Sequence, residues 1–265
     1  MARLPGRAGG TCALWLSLSH AVADGVSKAL IKGELLTERG PGQLSDAYIA
    51  YREWSADPEI RKKSRQFFRE VLRGAVPAAA PLSPNRFRGG VMETRKVILG
   101  KVGETNGLSP SSYAVWRYGK AALDTIGGDS VFFLVHSSGR NIPLRGIADT
   151  VGCLAAGMPV VIRADDTPQR FVRRLYEAER HTCMTSEELF GRLSPVTLPS
   201  LESLVFPDRT EGRDLGPLEA EAFPAGDFSA YVTIENGELA IKLHYHAEPE
   251  QRAFYREFAR RLSEK

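Results

Sequence analysis

The chain has 265 residues, 43% of them hydrophobic and 25% charged, with a formal net charge of +3. That length suits one large α/β domain or two small ones with a real core, and the composition excludes wholesale disorder. The charge is too small and dispersed to expect nucleic acid as a partner, and no apolar run approaches the ~20 residues that cross a membrane.

Arg3 and Arg7 ahead of the apolar stretch Cys12–Leu18, with Ala21-Val22-Ala23 after it, imitate a secretory signal peptide. Gly9, Gly10, Ser17, Ser19 and His20 interrupt or flank that stretch, and it reads better as a strand. Leu14, Leu16 and Leu18 take one face and Trp15 the other. Pro5, Gly6, Gly9 and Gly10 disfavour a strand before it, so its cover is expected from elsewhere. Asp24 stands at an N-cap, and a helix follows over Gly25–Leu36 with Val26, Leu30, Ile31 and Leu35 on its buried face. Gly40-Pro41-Gly42 ends this unit.

Helical patterning from Ser45 to Leu72 is broken in two at Pro58. The Ala/Pro-rich stretch Gly74–Pro84 reads as a connector. A strand at Val91–Leu99, a helix at Pro110–Thr125 capped by Ser109, and a buried strand at Val131–Val135 follow. A strand pair is expected over Thr150–Ile162 and a helix from Thr167 to about Ser186. Then come strands near Ser203–Phe206 and Leu218–Phe223, and a hairpin of Phe228–Ile234 and Leu239–Tyr245 around Glu235-Asn236-Gly237. A basic amphipathic helix begins at Pro249. The alternation predicts mixed α/β layers, divided as residues 1–76, a connector at 77–90, and 91–265.

The residues richest in chemistry are Ser19-His20-Ala21-Val22-Ala23-Asp24-Gly25. A His directly after a buried strand is held rigidly, and an imidazole titrating near pH ~6.5 suits proton transfer. Asp24 opens a helix and Gly25 lets the backbone turn with no side chain in the way. Taken alone, the same residues read equally as a hydrogen-bonded loop His beside a capping Asp. His244 and His246 share a strand face but lack a third metal ligand, so no metal site is expected. His136 reads as a satisfied core residue and His181 as a helix-surface one. Arg252, Arg256, Arg260 and Arg261 make a solvated face or a dock for an acidic protein. Cys12, Cys153 and Cys183 are odd in number, far apart and in no ligand spacing, which reads as free thiols in a reducing, cytoplasmic compartment. No G-x-S-x-G, Walker loop, dinucleotide fingerprint or CxxC pair occurs.

Residues 19–25 resemble the H-H-x-x-x-D-G motif of nonribosomal peptide synthetase condensation domains, within the chloramphenicol-acetyltransferase-like superfamily. Ser19 stands in place of the first His. In family order come Tyr51-Arg52-Glu53-Trp54 and Phe67–Leu72, then the strand Val131–Val135 running through His136 and Ser137 into Ser138-Gly139-Arg140. The V-G…P segment from Val151-Gly152 to Pro159 and the closing hairpin and helix complete the series. The resemblance covers nearly the whole chain and implies the two-lobed α/β fold, although a His motif at residue 19 leaves most of the first lobe absent. Ala156 replaces a polar Asn of the family's tunnel wall.

The resemblance also implies roles. His20 would position or deprotonate an amine or hydroxyl as it attacks a thioester carbonyl. Asp24 would pair with Arg140 as a structural support, and Gly25 would leave room for a pantetheine arm or donate its N–H to the developing oxyanion. Ser138, Gly139, Val151 and Gly152 would line the tunnel. No cofactor would be bound; the acyl group would arrive on the phosphopantetheine arm of an acyl or peptidyl carrier protein, or on coenzyme A. Three functions follow: amide-forming condensation, ester-forming O-acyl transfer, and a non-catalytic carrier-binding remnant. The D-F-G-W-G segment of ester-forming plant relatives is missing, since Asp214-Leu215-Gly216-Pro217 does not match it. A separate first-lobe chain, or a second copy of this one, would cover the strand at Cys12–Leu18.

Overall fold

The computed structural model describes residues 2–5, 11–14, 16–19, 21–36, 46–78, 92–184, 188–189, 200–202, 228–246 and 248–264. Strands β1 (Ala2–Pro5) and β2 (Thr11–Leu14) form an antiparallel pair of their own, with Pro5 opposite Thr11. This corrects two expectations. A strand does precede Cys12, because Pro5 stands at the strand's last position, where a missing N–H disturbs the ladder least. The second strand also stops at Leu14 rather than Leu18, and Leu16 is 55% exposed. Trp15 lies outside the described residues.

Three helices follow: α1 (Gly25–Leu36), α2 (Ala47–Ala56) and α3 (Pro58–Val71). The break between α2 and α3 falls where Pro58 requires it. Asp57 caps α3 by accepting the Glu59 and Ile60 amides at 2.8 and 3.0 Å. On α1 the expected apolar face is only half-buried at Val26, Leu30 and Ile31, and Leu35 is exposed; Ser27 is the residue fully withdrawn from water.

The remaining elements are β3 (Val76–Pro77), β4 (Met92–Lys101), α4 (Pro110–Ile126), β5 (Ser130–Ser137), a 3-10 turn (Ile147–Asp149) and β6 (Ala156–Arg163). They continue with α5 (Pro168–Glu179), β7 (Ser200–Glu202), β8 (Phe228–Glu235), β9 (Glu238–His246) and α6 (Pro249–Ser263). A mixed sheet runs β6–β5–β7–β8–β9–β4. β3 lies parallel to the start of β5, and β7 parallel to its end. The hairpin turn is the expected one: Asn236 and Gly237 both take positive φ, 52° and 76°, as a two-residue turn matching strand twist demands.

One face of the sheet is sealed by α4, α5 and α6, where Tyr118, Phe171, Tyr255 and Phe258 meet Phe133, Ile162, Ile241 and Leu243. β5 is buried because Val131–Val135 is β-branched and aromatic and has strands on both sides. Among the described residues β6 pairs only with β5. Its outer edge carries Pro159, which has no N–H, and Arg174, which donates to the Val161 carbonyl at 3.0 Å.

Other expectations change here. Instead of a strand pair over Thr150–Ile162 there is one strand from Ala156, because the amides just before it bond to side chains rather than to a ladder. α5 ends at Glu179, and His181 is a half-buried turn residue, not a surface helix residue. Its Nδ1 lies 2.9 Å from Ser64 Oγ on α3 and its ring stacks on Phe67 at 4.2 Å. The stretch read as a connector starts inside the fold: β3 pairs with β5, and the Ala78 amide donates to the Phe132 carbonyl at 2.8 Å. The strands expected at Ser203–Phe206 and Leu218–Phe223 lie outside the described residues, as does Cys12's side chain.

The antiparallel register of β5 on β6 places Ser137 opposite Ala156. The Ser138-Gly139-Arg140 turn and the segment 150–155 therefore meet at one end of the sheet, where the helix cap of α1 arrives.

Candidate functional site

Asp24 is 1% exposed and caps α1, its Oδ1 accepting the Ser27 amide at 2.8 Å. A carboxylate this deep must have partners for all its lone pairs, since leaving them bare costs several kcal/mol, on the order of 3–5 for a broken buried pair. It has them. Arg140 Nη1 donates to Oδ2 at 2.7 Å and Nη2 to Oδ1 at 3.1 Å, a two-pronged pair with both side chains buried. The Leu154 and Ala155 amides donate to Oδ2 at 3.0 and 3.1 Å, and the Ser27 hydroxyl lies 2.8 Å from Oδ1. Burial alone would push the Asp24 carboxyl up from its ordinary 3.8. The Arg140 guanidinium and the Ser27 and Leu154 donors outweigh burial and hold it at about 2.

Arg140 does more than neutralise. It also donates to the Ser138 carbonyl at 2.9 Å and the Thr150 carbonyl at 2.9 Å, so one guanidinium joins its own turn, the segment before β6 and the cap of α1. Its Nε is buried without a partner among the described residues. Gly139 takes φ +65°, and a Cβ there would fall on the Leu154 carbonyl oxygen. Gly152 lies against the Tyr48 ring, where a Cβ would collide with Cδ2 and Cε2. Tyr48, Tyr51 and Trp54 of α2 cover Ile142, Ile147 and Leu154 as a second, smaller core beneath the site. The two glycines thus let two chain segments close over a side-chain network with no room for a methyl group.

Around this node the predicted site residues are arranged as follows. The Ser19 carbonyl accepts the Val22 and Ala23 amides at 3.1 and 3.2 Å, closing a turn that leads into Asp24. His20, expected to carry the chemistry, lies outside the described residues. Gly25 is the first residue of α1, in helical conformation. Ser138 is half-buried; its Oγ accepts the Arg140 amide at 3.3 Å. Val151 is 43% exposed beside buried Gly152, and Ala156 begins β6. Cys153 is half-buried, and burial together with the Asp24 charge pushes its thiol up despite Arg140 nearby.

The sequence reading missed Ser27. The pattern Asp24-x-x-Ser27 held the clue, because a short polar side chain three residues after an N-cap can turn back onto it. The other histidines stand apart. His136, half-buried near the end of β5, packs against Gly157, and burial lowers its pKa. His244 Nδ1 lies 2.9 Å from Thr94 Oγ1. Among the described residues no three His, Cys, Asp or Glu side chains converge to hold a metal. Nor is any helix there long and apolar enough to cross a membrane. On α6, Arg260 and Arg261 are engaged with Glu257.

The mixed sheet with helices on one face is the chloramphenicol-acetyltransferase-like fold, which solved condensation-domain structures share. The first condensation domain of the CDA synthetase shares it with a TM-score of 0.56 at 16% identity, over 92% of this chain and 62% of that one. So does the epimerization domain from the third module of tyrocidine synthetase B, at 0.57 and 16%, over 92% and 66%. PapA2 acyl transferase does so at 0.58 and 12%, over 93% and 63%.

The sequence relatives are nonribosomal peptide synthetases, and the chain is similar to their condensation domains. Nonribosomal peptide synthetase 7 of Gibberella zeae is 26% identical over 254 residues, 89% of this chain. Nonribosomal peptide synthetase fmqA of Aspergillus fumigatus is 29% identical over 209 residues, 72% of this chain. The chain spans only 6% and 5% of the length of these two curated relatives. No family model matches the chain.

Proposed function

We propose that the chain is a condensation-type acyltransferase, joining an acyl or peptidyl group held as a thioester on a carrier protein to an amine. The observation that supports it most is the Asp24–Arg140 pair, which anchors the turn after Ser19 to both strand ends in a chain whose relatives are peptide synthetases. On this reading His20 positions the attacking amine or takes its proton as the thioester carbonyl is attacked. The phosphopantetheine arm is the substrate's carrier, not a bound cofactor, and passes Val151, Gly152, Ser138 and Gly139. Asp24, held ionised and saturated with donors, takes no part in proton transfer; it is a support. The division into residues 1–76, 77–90 and 91–265, with the connector proper starting after Ala78, a cytoplasmic location, and a first-lobe chain or second copy completing the site belong to the same proposal.

Ester formation from coenzyme A or a carrier thioester is the second reading, favoured by the fold likeness to an acyl transferase. Acyl-loaded carrier offered with amine and alcohol acceptors separates the two. His20→Ala is expected to lose ~10²–10⁴-fold in rate while remaining folded, the usual cost of removing a positioned proton acceptor. Near-wild-type turnover by His20→Ala ends the assignment, and carrier binding without turnover by the wild type makes the chain a recruitment module.

A further inference from the structure

Among the described residues Ser27 is the one side chain that touches Asp24, Arg140 and Gly152 together, and it is fully buried. Its Oγ accepts the Gly152 amide at 2.9 Å and an Arg140 Nη2 proton at 3.3 Å. Its single hydroxyl proton faces two acceptors at the same distance, the Gly152 carbonyl and Asp24 Oδ1, both at 2.8 Å. Both the N–H and the C=O of Gly152 are therefore within reach of one oxygen. Two contacts to one residue fix its orientation as well as its distance, and Gly152's orientation sets where the exposed neighbour Val151 points. Asp24 and Arg140 hold the rest of the segment without touching the Gly152 amide: Asp24 takes Leu154 and Ala155, and Arg140 takes the Thr150 carbonyl. Arg140 Nη2 also reaches the Gly152 carbonyl at 3.5 Å, so Val151 is held on one side by Arg140 through the Thr150 carbonyl and on the other by Ser27 through the Gly152 N–H.

We propose that Ser27 is a positioning residue, which fixes Val151-Gly152 against the first turn of α1 and so sets the Val151 wall of the proposed acyl-transfer site. This deepens the acyltransferase reading and rests on it. Ser27 forms no bond to substrate; it acts through Gly152. Misplacing a substrate wall by about 1 Å typically costs up to ~100-fold in the bound reaction with little effect on binding, so the expected signature is a fall in kcat at near-constant KM.

The test uses the full chain with its carrier partner and with the first-lobe chain or second copy that completes the site, and an acyl N-acetylcysteamine thioester as donor probe. Ser27→Ala is expected to lower kcat at least ~10-fold with KM changed less than about twofold. Ser27→Thr, which keeps the hydroxyl, is expected to recover most of the loss. Residue-resolved amide exchange supplies the readout independent of turnover: in Ser27→Ala the Gly152 amide exchanges faster while those of Leu154 and Ala155 stay protected. Wild-type kcat in Ser27→Ala overturns the inference even if Gly152 exchange quickens, and so does unchanged Gly152 exchange. A wild-type protein that transfers no acyl group overturns the functional reading and this inference with it; failure confined to Ser27→Ala overturns the inference alone.

Discussion

Asp24 on the first turn of α1 and Glu257 on α6 make an instructive pair. Both carboxyls sit near a pKa of about 2, both beside arginine. The causes differ. Asp24 is buried, and its arginine, one hydroxyl and three backbone amides must overcome a burial that favours the neutral acid. Glu257 lies in water with Arg260 and Arg261 one turn away on the same helix, where salt and side-chain entropy erase most of what proximity gives. Equal acidity therefore does not mean equal importance. The buried pair ties three chain segments together, and the surface pairs decorate one helix.

Breaking the buried side of this comparison has the largest effect. Asp24→Ala or Arg140→Ala leaves the other charge uncompensated and is expected to cost about 3–5 kcal/mol in denaturant unfolding. Gly139→Ala comes next, because the new methyl must adopt positive φ and displace the Leu154 carbonyl; about 2–3 kcal/mol is expected. Gly74→Ala, at a similar φ of 75° on an exposed position with nothing near the new Cβ, separates backbone strain from the clash and is expected to cost about 1 kcal/mol.

Acid sharpens the comparison without mutation. Asp24's folded pKa lies below its ordinary 3.8, so its contribution is complete above that value and is lost as pH falls toward about 2. The displacement corresponds to about 2 kcal/mol, absent from Asp24→Asn. The histidines act at higher pH. Burial lowers His136, His181 and His244, so their contribution is complete above about 6.5 and begins to fall below it. The smallest expected effect is at the surface: Glu257→Gln should melt within about 1 °C of wild type at physiological salt.

What could be read from the sequence was local. The start of α1 at Gly25, the break at Pro58, the Ser109 cap and the Asn236-Gly237 turn each follow from a residue whose own chemistry fixes the backbone. What could not be read was set at a distance. Thr150–Ala155 has the composition of a strand, yet Asp24 and Arg140 claim its amides and carbonyls, so no ladder forms. Apolar spacing on α1 pointed to Leu30 and Ile31 as the buried residues, whereas the polar network buries Ser27. His181 looked like a helix-surface residue until Ser64 and Phe67 of α3, more than a hundred positions earlier, were brought against it. The Asp24–Arg140 pairing itself came from resemblance to condensation domains, since nothing local links positions 116 residues apart. The chemistry assigned to His20 rests on the same resemblance.

The central claim, that one buried ion pair locks the turn after Ser19 onto both strand ends, is tested most directly by a double-mutant cycle on Asp24 and Arg140. Denaturant unfolding of Asp24→Ala, Arg140→Ala and the double variant gives the coupling. The double variant is expected to be little worse than either single one, with a coupling of at least about 2 kcal/mol. Costs that simply add, or single variants as stable as wild type, would contradict it.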